Sequence, residues 1–170
     1  KPICNFRCRK CFLEGIQQLQ GKNAVLDLKE IHAILQSAKD AGVAAIQLSG
    51  AGEPLLDRRI NKVIEQANKL GMITNLATNC STLEPGLLRF LKENDVTITL
   101  SLDTRDPADY AKLSGTSRKM FYQVEKNILL AQEVYAGTRQ NLFSDGELIY
   151  IYRLAIHATI NGGSADSLES

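Results

Sequence analysis

The sequence predicts an α/β fold in which parallel strands alternate with helices. Three short apolar runs of strand length begin at Val43, Met72 and Val96, and each is followed by a segment with helical periodicity. The starts of these runs are 29 and then 24 residues apart, a usual length for one strand–helix unit. Strands separated by helices pair in parallel through right-handed crossovers. Two architectures remain open at this point, an open doubly wound sheet and a barrel.

Four strands are predicted from apolar runs bounded by polar or glycine-containing turns. The run at 96–102 is the clearest because it is rich in β-branched side chains. The segment 137–146 is polar and is expected to be a loop. The predicted strands are residues 43–48, 72–77, 96–102 and one run within 148–160 that ends at Asn161-Gly-Gly163.

Five helices are predicted from caps and from apolar residues at helical spacing. Asp27 and Glu30 have the spacing of a capping box, and Gly42 and Gly71 are placed to end the first two helices. Pro85 suits a first helical turn. The predicted helices start after Asp27, after Asp57, at Pro85, near Ala108 (to Leu113) and at about Arg118 (to Tyr135).

Three of the four cysteines lie within eight residues, as Cys4-Asn-Phe-Arg-Cys8-Arg-Lys-Cys11. Thiolates this close can converge on one metal centre. Iron–sulfur clusters usually take four cysteines, so a set of three indicates a cluster with one iron open to a ligand. A structural zinc site needs four ligands, so Cys80, His32 or His157 would have to complete it. The cysteines favour an iron–sulfur cluster over zinc, and zinc over ordinary packing.

Charge and composition limit the kinds of partner that the chain is expected to bind. The chain carries 20 basic and 19 acidic residues, which gives no electrostatic case for binding nucleic acid or an anionic membrane. No apolar run approaches the length of about 18 residues that a membrane span needs. The chain opens with Lys1 and stops after Ser170, so we expect a piece of a longer protein.

Polar residues follow the predicted strands at their carboxyl ends, where both α/β architectures place their chemistry. Gly50 and Gly52 would let a ligand approach the backbone, and the Glu53 carboxylate could hold an ammonium group, although the segment also fits a tight turn. Asn79, Ser101 and Asp103 could bind the hydroxyl or carboxylate groups of a ligand, but each of them taken alone is more simply explained by a turn or a helix cap. The segments expected to share this rim are 49–54, 78–80 (with Asn79), 101–103 (with Ser101 and Asp103) and 159–163.

Other reactive side chains have simpler interpretations. His32 is expected on a helix away from the rim, with a structural role. His157 is expected as a packed neutral histidine within a strand. Cys80 is interpreted as a small buried residue.

The order of these motifs resembles the radical S-adenosylmethionine (radical SAM) superfamily. The resemblance rests on Cys-x3-Cys-x2-Cys at 4, 8 and 11, on Gly-x-Gly-Glu-Pro ending at Pro54, on Thr78-Asn79 and on Ser101-Leu-Asp103. It covers roughly Ile3 to Asn161. It implies a partial (β/α)6 TIM-like barrel, truncated at both ends, with residues 1–170 as an incomplete core domain that lacks most of its first and last strands.

The resemblance also implies a set of cofactor-binding residues. Cys4, Cys8 and Cys11 would ligate a [4Fe–4S] cluster whose fourth iron binds SAM. The methionine ammonium of SAM would be held by the segment Gly50–Glu53, including Gly52. Two departures from the family pattern are Lys10, where an aromatic is common, and Cys80, where glycine is frequent. The other implied cofactor contacts are Asn79, Ser101, Asp103, Arg118 and Arg153.

The implied activity is reductive cleavage of SAM to a 5′-deoxyadenosyl radical that abstracts hydrogen from a substrate. The expected substrate is a peptide or a natural-product intermediate, and the expected electron donor is a flavodoxin or ferredoxin. An oxygen-sensitive cluster fits a reducing cytoplasm. The competing hypothesis is a non-catalytic iron–sulfur or zinc-binding module.

Overall fold

The computed structural model describes residues 4–11, 26–50, 52–144 and 147–158. Its strands are β1 (Ala45–Leu48), β2 (Ile73–Thr78), β3 (Val96–Ser101), β4 (Arg139–Ser144), β5 (Glu147–Tyr152) and β6 (Leu154–His157). Its helices are α1 (Leu28–Asp40), α2 (Ile60–Lys69), α3 (Pro85–Glu93), α4 (Pro107–Ser114) and α5 (Arg118–Tyr135), with a short 3-10 turn at Pro54–Leu56.

The main sheet has four strands in the order β1-β2-β3-β6, and every neighbouring pair is parallel. Residue Ala45 pairs with Ile73, Thr74 with Val96, and Ile98 with Leu154. The sheet is not closed within the described residues. The prediction of a parallel α/β fold is confirmed, and an open four-stranded arc is consistent with part of a barrel.

The helices begin and end where their sequence signals lie. Asp27 caps α1 through a complete capping box, because Asp27 accepts the Glu30 amide and Glu30 accepts the Asp27 amide. Pro85 occupies the first turn of α3, and the Ser117 side chain accepts the Met120 amide at the start of α5. These local signals agree with the global topology, which is why the helix predictions are confirmed.

One face of the sheet packs against the helices and forms the core. Alternate residues of β2 and β3 point to this face, and Leu76, Ile98 and Leu100 are fully buried there. Burying each such side chain contributes roughly 1.5–3 kcal/mol. Helix residues that complete this core include Ile64, Leu88, Leu91, Val124 and Ala131.

The other face of the same strands is polar. Asn75 pairs in register with Thr97, and the Thr99 hydroxyl donates to the Asn75 side-chain oxygen at 3.2 Å. Ser101 continues this face at the carboxyl end of β3 and lies opposite His157 of β6. A parallel strand buried on both faces would be apolar throughout. The polar residues therefore mark a face suited to a polar ligand.

The prediction for the segment after α5 is wrong in one respect. Residues 137–146 were expected to be a loop, but Arg139–Ser144 pairs antiparallel with Glu147–Tyr152 to form a hairpin. The polar strand is stabilised because its partner supplies backbone hydrogen bonds that the sequence pattern does not display. Two strands instead of one thus lie between Glu147 and His157, and β6 is the one that joins the parallel sheet. The predicted turn at 159–163 lies outside the described residues.

A search of the described helices finds none with the length and hydropathy required to cross a membrane.

Candidate functional site

The cysteine loop, residues 4–11, lies against the carboxyl end of α4. The Arg7 amide donates to the Ser114 carbonyl at 3.0 Å, and the Arg9 amide donates to the Leu113 carbonyl at 2.8 Å. Gly115 adopts φ 64° and passes so close that a Cβ there would lie 2.4 Å from the Arg7 oxygen. Only glycine permits both this backbone conformation and this approach. The loop is therefore fixed to the helix by backbone contacts.

An aromatic side chain anchors the same loop in the core. Phe6 is buried, and its ring meets Tyr110 edge to face with centroids 6.3 Å apart. Tyr110 in turn packs against Phe121 at 5.4 Å. Such pairs stabilise their contact beyond simple burial. Phe6 thus holds the loop to α4 and, through Tyr110, to α5.

The three thiols of the loop are free and lie within eight residues of the sequence. Cys4 is exposed, whereas Cys8 and Cys11 are partly buried. Burial, together with the neighbouring Cys4 and Cys11 thiols, raises the pKa of the Cys8 thiol to about 11. Like charges nearby disfavour the thiolate and so raise the pKa. Binding to a metal would have the opposite effect on the pKa, because the metal favours the thiolate form.

The donor set fits a cluster better than a single ion. Within the described residues no three His, Cys, Asp or Glu side chains are arranged to hold one metal ion. A mononuclear zinc site would require four ligands around one centre. In a cluster each thiolate binds a separate iron, so three cysteines on one short loop would suit that chemistry.

Glu53 is the buried carboxylate of the site. One of its oxygens, Oε1, accepts the Thr78 hydroxyl at 2.7 Å and the Leu55 amide at 3.2 Å. The other, Oε2, accepts the Asn79 amide at 2.8 Å. Burial raises the pKa of Glu53, and these three hydrogen bonds oppose that rise. A carboxylate offers about four acceptor positions, which leaves capacity for one more donor.

Asn79 connects Glu53 to the cysteine loop. Its side-chain amide donates to the Asn5 side-chain oxygen at 3.0 Å, and Asn5 donates to the Ser81 hydroxyl at 2.8 Å. Ser81 closes the triangle by donating to the Asn79 side-chain oxygen at 2.7 Å. A continuous path of hydrogen bonds therefore runs from the Glu53 carboxylate to Asn5, the residue that follows Cys4.

The end of β3 contacts the other side of the cysteine loop. Asp103 forms an ion pair with Lys10, the residue before Cys11. The Ser101 amide points at the Cys80 thiol and lowers its pKa, but burial dominates and raises that pKa to about 12. Cys80 is fully buried, as expected, and adopts φ 65° in the loop after β2. Of the predicted rim segments, 78–80 and 101–103 thus contact the cysteine loop directly, and 49–54 is joined to it through the bond from Asn79 to Glu53.

Gly50 and Gly52 lie in the loop after β1, with φ of 112° and 123°. Side chains other than glycine rarely adopt these angles. A Cβ on Gly50 would meet nothing within 4 Å, so the backbone conformation rather than crowding requires glycine there. Gly50 is exposed in this loop.

The two predicted arginines have different positions. Arg118 begins α5 on the rim side of the sheet and is exposed. The prediction for Arg153 is wrong, because this residue precedes β6 at the opposite, amino end of the strands. It is buried there, paired with Asp95 at 3.1 Å and donating to the Lys92 carbonyl at 2.9 Å. Arg153 is therefore a structural residue and cannot reach a ligand at the rim.

The histidines also differ from expectation in one case. His157 was expected to be packed, but it is exposed at the carboxyl end of β6, where its carbonyl accepts the Leu102 amide at 3.0 Å. His32 is partly buried on α1, and its structural role stays a prediction.

Three residues that contact the rim or the cysteine loop were not predicted from the sequence to do so. They are Asn5, Ser81 and Lys10. Asn5 and Lys10 lie between the cysteines, and that placement was the available signal. The pairing across more than seventy residues depends on the fold and has no local signature.

Comparison with known proteins agrees with this geometry. Residues 1–142 match the family model of the radical SAM superfamily. GTP 3′,8-cyclase of Mannheimia succiniciproducens is 31% identical over 134 residues, which are 78% of this chain and 39% of that protein. A probable GTP 3′,8-cyclase of Methanococcus maripaludis is 35% identical over 135 residues, 78% of this chain and 43% of that protein. The chain thus spans about two-fifths of the length of these relatives.

Solved structures share the fold. Streptococcus suis SuiB bound to precursor peptide SuiA superposes with a TM-score of 0.73 at 23% identity, covering 98% of this chain and 33% of that one. The protein anSMEcpe with bound AdoMet gives 0.63 at 20% identity, covering 77% and 38%. With the match over most of its length, the chain belongs to the radical SAM superfamily.

Proposed function

We propose that the protein is a radical SAM enzyme whose core domain is formed by residues 1–170. When bound, a [4Fe–4S] cluster and SAM would supply a 5′-deoxyadenosyl radical that takes hydrogen from a substrate. The observation that supports this proposal is the path of hydrogen bonds from Glu53 through Asn79 to Asn5, which joins the buried Glu53 carboxylate to the cysteine loop. A module that only stored metal would not need that connection.

The residues divide the work of binding and orientation. Cys4, Cys8 and Cys11 would ligate three irons and leave the fourth open. Glu53 would accept the methionine ammonium at its remaining acceptor position, beside the backbone of Gly50 and Gly52. Asn79 would keep that carboxylate aligned with the cysteine loop.

Further contacts to SAM would come from the end of β3 and the start of α5. Ser101 and Asp103 would contact the ribose or the methionine carboxylate, and Arg118 is a candidate partner of that carboxylate from the rim side. The polar face that includes Asn75 and Thr97 would border the cofactor. Bound SAM would thereby exclude water from the open iron.

The proposed substrate is a peptide or a natural-product intermediate. Its support is the superposition on SuiB bound to precursor peptide SuiA, which covers nearly the whole of this chain. A second candidate is a purine nucleotide, because the relatives named above are GTP 3′,8-cyclases at 31 and 35% identity. The electron would come from a flavodoxin or ferredoxin, and an oxygen-sensitive cluster fits a cytoplasmic location.

Anaerobic reconstitution with iron and sulfide tests the proposal. We expect a brown protein with about four irons per chain, which converts SAM and dithionite into 5′-deoxyadenosine. Cys4→Ala should abolish cleavage, whereas Cys80→Ala should retain it as the matched control. A colourless protein with tetrahedral zinc would support the non-catalytic module and contradict the proposal.

The substrate class is tested with deuterated candidates. Deuterium that appears in 5′-deoxyadenosine identifies the molecule from which hydrogen is taken. A peptide labelled at its Cα positions supports the first candidate, and GTP labelled on the ribose supports the second.

A further inference from the structure

The surface around the cysteine loop is strongly basic although the chain as a whole is nearly neutral. Segments 4–11 and 110–120 contain six of the 20 basic residues and none of the 19 acidic residues. The backbone bonds of Arg7 and Arg9 to Ser114 and Leu113 hold the two segments together. The six cations, all exposed, are Arg7, Arg9, Lys10, Lys112, Arg118 and Lys119.

Neighbouring acids neutralise only part of this surface. Lys10 pairs with Asp103. Asp106 is occupied in capping, where it accepts the Ala108 and Asp109 amides, whereas Asp109 lies three residues before Lys112 on α4 and offsets part of the charge of Lys112. We define the cationic surface as Arg7, Arg9, Lys112 and Lys119, the four cations that are neither paired with Asp103 nor proposed to bind SAM.

The position of Lys119 indicates that helix stability does not explain the charge. Arg118 and Lys119 fill the first turn of α5, which contains no acidic residue. The helix dipole favours negative side chains at that end and disfavours positive ones. Cations kept at an unfavourable position require another reason, and a binding partner supplies one.

We propose that the cationic surface is the docking site of an acidic one-electron donor protein. The inference rests on the proposed function, since only a redox cluster in the cysteine loop gives such a partner a purpose. Arg7 and Arg9 flank Cys8, so a protein bound here would lie beside the cysteine loop that is proposed to hold the cluster. Electron transfer weakens steeply with distance, and exposed cations steer an acidic partner to this position.

The exposure of these side chains distinguishes this site from a phosphate pocket. Small-ligand sites are concave and bury most of the ligand. The four cations come from two segments and are exposed, as expected for a transient protein encounter governed by charge. Binding of this type depends on ionic strength.

The test is stopped-flow reduction of the reconstituted cluster by pre-reduced flavodoxin, an acidic protein. We expect the Arg9→Glu/Lys112→Glu variant to lower the second-order rate constant about tenfold at low salt and to lose its salt dependence. Binding of flavodoxin to the same variant, measured by calorimetry, should weaken by a similar factor. Lys69→Glu, an exposed charge reversal at the far end of α2, is the matched control and should change neither value by more than about twofold.

Saturating dithionite separates the possible failures. Normal cleavage of SAM by the variant with dithionite, together with slow reduction by flavodoxin, supports the docking site. Equal loss with both reductants would overturn it, because the cations would then serve the cluster itself. A change in affinity for GTP without a change in flavodoxin reduction would also overturn it in favour of a phosphate site. Wild-type protein that fails to cleave SAM with dithionite would instead reject the proposed function. If the variant with glutamates folds poorly, Arg9→Gln/Lys112→Gln replaces it in the test. This variant removes the charges without reversing them, so its rate of reduction should lie between those of the wild type and the glutamate variant.

Discussion

The Glu53 carboxylate accepts the backbone amide of Asn79 at 2.8 Å, and this bond joins the loop after β1 to the loop after β2. The side chain of Asn79 extends the connection to Asn5, so the position of the carboxylate and that of the cysteine loop depend on each other. Ligand binding at one end should therefore be sensitive to changes at the other.

Replacing Asn5 with alanine tests this dependence. The change removes the hydrogen bonds to Asn79 and Ser81, each worth roughly 0.5–1.5 kcal/mol, and the exposed position favours the low end. We expect the Kd of the reconstituted protein for SAM to rise about three- to tenfold, measured by calorimetry, with little loss of iron. Asn61→Ala, on the exposed side of α2, is the control. An unchanged Kd would show that the two loops are independent.

Glu53 should give opposite pH trends for stability and for SAM binding. Its pKa in the folded protein is raised above 4.5 by burial, so the folded state holds the proton more tightly than the unfolded chain. The contribution of Glu53 to stability is therefore fully present below about pH 4.5 and is lost as pH rises through the folded pKa. Binding of an ammonium group needs the ionised form, so SAM affinity should fall as pH drops through the same value.

The measurements are urea unfolding and SAM binding between pH 4 and 8, compared with Glu53→Gln. The variant should lose the pH dependence of both quantities that arises from this group. It should also bind SAM at least about tenfold more weakly. The –NH2 group of the new glutamine would face N–H or O–H groups that now donate hydrogen bonds to the carboxylate. Glu65→Gln on α2 is the control, since its carboxylate lies in a surface pair with Lys62. SAM affinity that stayed constant across this range in the wild type would contradict the role of Glu53.

Arg153 should be essential for stability and irrelevant to SAM. It contacts the Lys92 carbonyl, pairs with Asp95 and lies over the Tyr135 ring at 5.6 Å. Asp95 is largely exposed, so the ion pair itself contributes little, and most of the loss comes from the carbonyl bond, the ring contact and packing. We expect Arg153→Met to lower the free energy of unfolding by about 2 kcal/mol.

Arg118→Met is the matched comparison for Arg153→Met. Arg118 is exposed on the rim side, so its removal should leave stability within about 0.5 kcal/mol and raise the KM for SAM. The reverse pattern, with Arg153→Met affecting SAM and Arg118→Met affecting stability, would contradict both assignments.

These two arginines also show how far the sequence could lead. The strand and helix order up to α5 follows from local signals such as the Asp27 cap and the run at 96–102, and the structure confirms it. The rim could be predicted because parallel strands share a carboxyl edge. Arg153 could not be placed, since deciding which end of β6 it occupies required knowing that a hairpin precedes that strand.

The contacts within the rim were beyond sequence reasoning for a related reason. Asn5 meets Asn79, and Lys10 meets Asp103, through side chains separated by 74 and 93 residues. Nothing local encodes such pairs, because they are set by how loops from different strands fold over the same edge. Glu53 itself was identified by its charge type, but its burial and its three donors became visible only in the structure.

Cys80 should behave as a structural residue with a strained backbone. Its φ of 65° lies in the left-handed region, which disfavours side chains by roughly 1–2 kcal/mol, and its thiol is fully buried. Cys80→Gly and Cys80→Ala both lose the buried sulfur, so their difference reports mainly on the backbone. Glycine relieves the strain of the left-handed backbone but loses more chain entropy on folding, which offsets part of that gain. We expect the free energy of unfolding of Cys80→Gly to be about 0.5–1 kcal/mol higher than that of Cys80→Ala, measured by urea titration.

Chemical reactivity provides an independent measurement on the same residue. Because burial raises the pKa of the Cys80 thiol to about 12, it should resist alkylation by iodoacetamide at pH 8 in the folded apo-protein and react only after unfolding. Exposed Cys4 should react first, which mass spectrometry of the peptides would show. Both Cys80 variants should bind as much iron as the wild type, whereas Cys8→Ala should lose most of it. Loss of iron from Cys80→Ala would instead make Cys80 a fourth ligand, and no iron would then be left open for SAM.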